Sequence, residues 1–374
     1  MKILLDPQIF NLQQYGGISR YHTELLSIVS RRNHKVIIPF LTTENFYFRH
    51  SVLVTFQQRV YSLYLRFLIK FRIRYKEDSN ARNKSYLQKA ILSQKYDLFI
   101  PTYYDPYFVK DIGSKPFVLT VYDMIYELFP EYFINDNLNV VENKKFLMEN
   151  ATRIIAVSEN TKKDIIKIYP HIDTAKIDVV YHGCSIKTVY KPIDNIPTNY
   201  ILFVGNRDAY KNFTFLVTSI ADFLLNNNLV LICAGGGAFN TSENELICKL
   251  GLVNKIIQRH FQDDELATYY KNAKCFVFPS LYEGFGLPVL ESMTCGCPVV
   301  LAHHSAFPEV AGNAGVYFEL NNRKDLRDKI EMLIKDESLR NEYSIKGLEQ
   351  VKKFSWNKAA TECLIVYRKA CYIY

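Results

Sequence analysis

The stretch PSLYEGFGLPVLESMTCG, Pro279–Gly296, sets two carboxylates, Glu283 and Glu291, on either side of a glycine-flanked phenylalanine and a proline. The preceding run, KCFVFPS, reads as a β-strand, and the apolar stretch that follows reads as a helix ended by Gly296 and Pro298. Pro288 suits the first helical position, where a missing N–H costs nothing. Gly284 and Gly286 strip side chains from the intervening turn, so backbone N–H groups can come close to a ligand. A helix start presented in this way favours an anion through its unpaired donors and its dipole. Carboxylates would repel that anion, but they are good acceptors for the hydroxyls of a sugar. Glu283 in the turn and Glu291 one turn into the helix therefore fit sugar rings on opposite sides of a cradled diphosphate.

The same strand-then-helix unit recurs along the chain. Short β-branched runs alternate with amphipathic stretches, the pattern of a parallel sheet covered by helices on both faces. Strands are expected near Lys2–Leu5, Lys35–Leu41, Asp97–Pro101, Phe117–Val121, Arg153–Val157 and Ile177–Tyr181. Six more are expected near Tyr200–Val204, Leu229–Ala234, Lys255–Arg259, Lys274–Phe278, Pro298–Ala302 and Val316–Phe318. Six and six imply two Rossmann-like α/β lobes, and 374 residues suit two domains better than one core. The proline-bearing segment KTVYKPIDNIPTNY, Lys187–Tyr200, is the expected join. Domains are thus expected over 1–190 and 191–355, followed by a C-terminal helix over 356–374 for which Ser355 is a fair N-cap.

With 22% charged residues and a net charge of +8, the balance is that of a soluble globular protein, and nothing in it demands nucleic acid. Asp6 and Pro7 interrupt the N-terminal apolar run, and no later run approaches membrane-spanning length, so a cytoplasmic chain is expected. The eight cysteines are irregularly spaced and read as buried thiols; Cys295 and Cys297 form a lone C-x-C without a second ligand pair for zinc.

EGFGLPVLE resembles the E-x7-E motif of retaining GT-B glycosyltransferases, in particular glycosyltransferase family 4. The resemblance implies two Rossmann-like domains facing a central cleft, with the C-terminal helix packing back on the first. It implies that Glu283 contacts the donor sugar and supports charge at its anomeric carbon, and that Glu291 accepts from ribose hydroxyls. Phe285, Gly286 and Leu287 would offer backbone amides to sugar and phosphates. YILFVGNRDAYKNF is similar to the family's strand, glycine turn and basic pair, which would make Arg207 and Lys211 the cations on the diphosphate. The segment from Asp263 into the motif and the loop Ser305–Gly315 also look like the family, and His260–Gln262 would hold the base. GGISRY, with Gly16 and Gly17, resembles the glycine loop of the first lobe that reaches the donor. The run DPQIFNLQQYGGISRYHTELL resembles a bacterial subset that builds surface polysaccharides, including lipopolysaccharide, often as mannosyltransferases.

Thr120–Glu131 stands where many relatives carry a His-Asp pair. This chain has Tyr122 in the histidine's place and keeps Asp123, which either orients a hydroxyl in catalysis or caps a turn. The segment Arg59–Lys76 breaks the strand-helix rhythm. At about 100° per residue, Arg59, Arg66, Lys70 and Arg74 share one arc, while Val60, Tyr64, Phe67, Leu68 and Phe71 share another. Such a helix either lies on an anionic membrane or packs its apolar side on the first lobe.

No G-x-G-x-x-G follows a strand, which argues against a nicotinamide dehydrogenase. No D-x-D motif is present for a cation bridging two phosphates, so the resemblance implies a metal-independent transferase with no cofactor. Its expected partners are a nucleotide diphosphate sugar and a glycan or lipid-linked acceptor. A GT-B epimerase, a phosphorylase and a non-catalytic sugar-binding relative remain as alternatives.

Overall fold

Each of the twelve apolar runs forms a strand in the computed structural model, which describes residues 1–70, 79–134, 139–207, 209–262 and 264–372. The chain divides into two compact units, Met1–His182 with Trp356–Tyr374, and Gly183–Ser355.

In the first unit the strands are β1 Lys2–Leu5, β2 Lys35–Ile37, β3 Leu98–Ile100, β4 Val118–Val121, β5 Arg153–Ala156 and β6 Ile177–Val179. They lie in two three-stranded parallel groups, β2-β1-β3 and β4-β5-β6, joined by a bridge between Phe99 and Phe117. Strand β2 is shorter than the run Lys35–Leu41 suggested, because Pro39 has no N–H to give to a ladder. The helix Gly17–Arg31 buries Tyr21, Leu25, Leu26 and Val29, a spacing that places them on one face. Losing one such buried leucine to alanine costs about 2–5 kcal/mol. The C-terminal helix, Trp356–Tyr372, starts directly after Ser355 and packs on Gly17–Arg31 and β5. Tyr21 OH meets Cys363 Sγ at 3.8 Å, and Arg32 donates to Thr361 Oγ1 at 2.7 Å.

The second unit holds β7 Tyr200–Val204, β8 Val230–Ala234, β9 Ile256–Arg259, β10 Cys275–Phe278, β11 Val299–Ala302 and β12 Gly315–Phe318. They form one parallel sheet in the order β12-β11-β10-β7-β8-β9. Every residue of β7, β10 and β11 is buried, as apolar strands covered on both faces must be. Strand order reverses between β7 and β10. In open α/β sheets, ligands bind outside the carboxyl ends of the strands at such a reversal.

Two sequence expectations need qualification. The helix Phe56–Lys70 does not cover its apolar stripe: Phe56, Val60, Leu63, Tyr64 and Phe67 are between 47% and 80% exposed. Val60, Tyr64 and Phe67 are thus only half-covered, while the side chains of Arg66, Leu68 and Lys70, and residues 71–76 with Phe71 and Arg74, lie outside the described ones. Five of the eight cysteines are buried, whereas Cys184 and Cys371 are half-buried and Cys248 is exposed.

Candidate active site

The loops leaving β7 and β10 meet above the strand-order reversal of the second unit. Leu281 N donates to Tyr210 O at 2.7 Å, which ties one loop to the other. Lys211 Nζ lies 4.8 Å from the Tyr210 ring centroid and 5.1 Å from that of Phe278, and it meets Glu283 Oε1 at 2.5 Å. Both side chains of this pair are largely buried. Burial works against the ammonium, but Glu283 and Tyr210 outweigh it and hold the Lys211 pKa above its ordinary value. The cation is thus present and confined at the mouth of the sheet.

Glu283 is fixed from behind by Ser305, whose hydroxyl accepts from Glu283 N at 3.1 Å and donates to Glu283 O at 2.6 Å. Ser305 sits at φ 57°, an unfavourable region for a residue with a Cβ, so the clamp is held at a backbone cost. The sequence offered Ser305 only as the start of a family-like loop; its contact with Glu283 spans 22 residues and has no local signal.

Gly286 caps the helix Leu287–Thr294 at φ 91°, where a side chain would be strained. Leu287 is the first helical residue and Pro288 the second, one position later than the sequence suggested but still in the first turn, where a missing N–H breaks no helix bond. Phe285 is buried with its ring 5.9 Å from that of Phe354. Glu291, one turn into this helix, is buried and accepts from Tyr270 OH at 3.4 Å. On the far side of the sheet, His260 and Gln262 follow β9 and are exposed, and Phe261 packs near Gly235.

Arg207 is placed differently from expectation. Its Nε donates to Glu243 at 2.8 Å, and its terminal nitrogens donate to the carbonyls of Gly235, Gly236, Gly237 and Ala238 at 2.9–3.3 Å. Phe239 and Phe213 lie against the guanidinium, with centroids at 4.8 and 5.8 Å. A guanidinium spent on five acceptors latches the loop after β8 in this arrangement; its partner Glu243, 36 residues away, gave no sequence signal.

In the first unit, Gly16 caps the helix Gly17–Arg31 with an extended backbone that any residue adopts. The room left by its missing side chain holds the end of Gln13, whose carbonyl oxygen accepts from Ser19 N at 3.3 Å. Gly16 thus makes space for a capping side chain at this helix start, with Gly17 its first residue. Tyr122, at the end of β4, is joined at 2.5 Å to His22 Nε2. Burial pushes the His22 pKa down to about 3, so the ring is neutral. Asp123 accepts from Ile125 N at 3.2 Å, the turn-capping contact, and its side chain is half-exposed. Among the described residues, no group of three or more His, Cys, Asp or Glu side chains is arranged to hold a metal ion.

Two family descriptions match the chain in succession: "Glycosyltransferase Family 4" over residues 15–187 and "Glycosyl transferases group 1" over residues 190–350. O-antigen chain mannosyltransferase B of Escherichia coli is 26% identical over 326 residues, 78% of this chain and 85% of that protein. Sucrose-phosphate synthase from Thermosynechococcus elongatus superposes with a TM-score of 0.73 at 18% identity, covering 100% of this chain and 99% of that one. Anabaena HepE, crystallised with UDP and glucose, superposes with a TM-score of 0.69 at 17% identity, covering 97% and 98%. At such identities the structural likeness speaks for the fold alone. The fold and the two family matches define a glycosyltransferase of the GT-B class. Within that class the chain belongs to the family 4 type, with the family 4 domain followed by the group 1 domain.

Proposed function

We propose that this glycosyltransferase moves a hexose, with mannose favoured, from a nucleoside diphosphate sugar to a hydroxyl of a glycan or lipid-linked saccharide during surface polysaccharide assembly, with retention at the anomeric carbon. The observation that carries the reading is the confined Lys211–Glu283 pair beside the helix start at Leu287, above the strand-order reversal. The likeness to an O-antigen chain mannosyltransferase supports the choice of sugar.

When the diphosphate arrives, it takes Lys211 from Glu283 and lies against the amides at Gly286 and Leu287. Glu283, released, accepts from hydroxyls of the sugar and offsets positive charge growing at its anomeric carbon. Glu291 accepts from the ribose. As the bond between that carbon and the phosphate oxygen breaks, Lys211 and the helix dipole stabilise the leaving charge, which makes a bound cation unnecessary. The departing oxygen takes the proton of the acceptor hydroxyl, whose own oxygen bonds to the carbon on the same face. Asp123 orients that hydroxyl.

The acceptor is presented at an anionic membrane on its cytoplasmic side, and the helix Phe56–Lys70 rests there. Its stripe from Phe56 to Phe67 is exposed, and no acid occurs between Phe56 and Lys76 against six Lys and Arg residues. A second copy pairing through this face would set cation against cation, whereas anionic headgroups complement it. The contact proposed is peripheral, and no helix among the described residues is long and apolar enough to cross a bilayer.

Transfer from a panel of nucleoside diphosphate hexoses, with the product's anomeric configuration read by NMR coupling constants, tests the reaction. Retention supports the reading; inversion, or conversion of the sugar without an acceptor, contradicts it.

A further inference from the structure

Beneath the loop that follows β4 lies a buried ion pair. Lys144, on the helix Val140–Asn150, has a side chain with 0% exposure and donates to Glu127 Oε2 at 2.9 Å; the Glu127 side chain is 3% exposed. The same ammonium donates to Asp123 O at 3.0 Å and lies 5.1 and 5.8 Å from the rings of Tyr104 and Tyr126. On the other side of Asp123, Tyr122 N donates to Tyr104 OH at 3.1 Å. Two buried side chains thus hold the backbone on both sides of the Asp123 carboxylate, whose Oδ1 is oriented by Ile125 N.

Stability alone does not account for this pair. Burial holds the Glu127 carboxyl above its ordinary pKa even with Lys144 beside it, a sign of how poorly the site solvates charge. Replacing a buried ion pair by apolar residues of similar volume is often neutral or stabilising. What an apolar pair cannot supply is the charge-assisted hydrogen bond from Lys144 to the Asp123 carbonyl.

We propose that Lys144 and Glu127 are positioning residues that hold the Asp123 carboxylate in register for the acceptor hydroxyl. This rests on the role proposed for Asp123 above. The test is Lys144→Met/Glu127→Leu in the full chain, made with and without Asp123→Asn, with kcat, acceptor KM, donor affinity and Tm measured for each. The expected result is a Tm close to wild type, unchanged donor affinity and a kcat lowered at least tenfold. In the Asp123→Asn background the same double replacement should change kcat less than twofold, a non-additivity that a merely structural pair would not produce. An undiminished kcat in the Lys144→Met/Glu127→Leu protein, with Asp123→Asn impaired, overturns the positioning role alone. An undiminished kcat in Asp123→Asn overturns the role of Asp123 itself. Lys144→Met/Glu127→Gln, closer in shape, carries the same expectations if the first variant does not fold; failure of both to fold assigns the pair to stability and overturns the inference.

Discussion

Lys211 Nζ and Glu283 Oε1 are 2.5 Å apart, each the other's partner at the mouth of the second sheet. A ligand carrying both an anion and hydroxyls can separate them and satisfy each with its own chemistry. Glu283→Gln keeps the shape but removes the charge needed opposite a developing cation. It should lower kcat by at least about 100-fold, in the range typical of lost electrostatic stabilisation. Turnover within threefold of wild type would remove Glu283 from the reaction.

Glu291 is buried with Tyr270 as a partner, and the proposal gives its carboxylate the ribose hydroxyls. Charged hydrogen bonds of this kind are worth about 1.5–3 kcal/mol, or tenfold and more in affinity. Wild type should therefore prefer a ribonucleoside diphosphate to its 2′,3′-dideoxy analogue by at least about tenfold, and Glu291→Gln should lose most of that preference. An equal preference in both proteins would place the ribose elsewhere.

Arg207 predicts a loss of stability. Arg207→Met leaves Glu243 buried without its cation and frees four carbonyls, so unfolding free energy should fall by about 3–5 kcal/mol. Nucleoside diphosphate affinity at low temperature should stay within about threefold of wild type, a difference well under 1.4 kcal/mol. A large loss of affinity without a loss of stability would assign Arg207 to the phosphates.

Asp6, at the carboxyl end of β1, gives a pH signature. It is fully buried and accepts from Thr102 N at 3.0 Å, from Gln8 N at 3.2 Å, and from the Thr102 and Tyr107 hydroxyls. Burial nevertheless pushes its pKa from 3.8 to about 6. The unfolded chain ionises first as pH rises, so the native state loses stability relative to it between about pH 4 and 6, by about 3 kcal/mol in all. Asp6→Asn cannot titrate. The stability difference, wild type minus variant, should fall across that window in chemical denaturation and stay flat above pH 7. A difference independent of pH would show that Asp6 titrates normally.

The exposed stripe of Phe56–Lys70 predicts sedimentation with vesicles containing about 30% anionic lipid and little with zwitterionic ones, because juxtamembrane cations contribute about 1 kcal/mol each. Leu63→Ser/Phe67→Ser should lower pelleting severalfold while leaving transfer to a soluble acceptor intact. Equal pelleting of both proteins would end the membrane assignment.

Which of these features the sequence disclosed follows from the range of the interactions involved. Strands announce themselves by local β-branched runs, and Gly286 is legible because its conformation is a property of one residue. Lys211 and Glu283 stand out through motifs on separate loops, but their mutual contact does not, since it depends on β7 and β10 lying side by side. The Arg207–Glu243, His22–Tyr122 and Lys144–Glu127 pairs were missed for the same reason: each joins residues from different elements, and a charge in a sequence does not state which opposite charge it will meet. The stripe on Phe56–Lys70 was legible as a pattern, yet periodicity reports two faces without saying which one the fold covers.

If the second unit grips a diphosphate through Lys211, nucleotide binding must depend on that ammonium. Calorimetric titration of the full chain with UDP, GDP and ADP tests it most directly, alongside Lys211→Met and Glu283→Gln. Saturable heat is expected with at least one nucleotide, with a loss of at least about tenfold in Lys211→Met and undiminished or tighter binding in Glu283→Gln, which no longer competes for the ammonium. Equal affinity of wild type and Lys211→Met would contradict it.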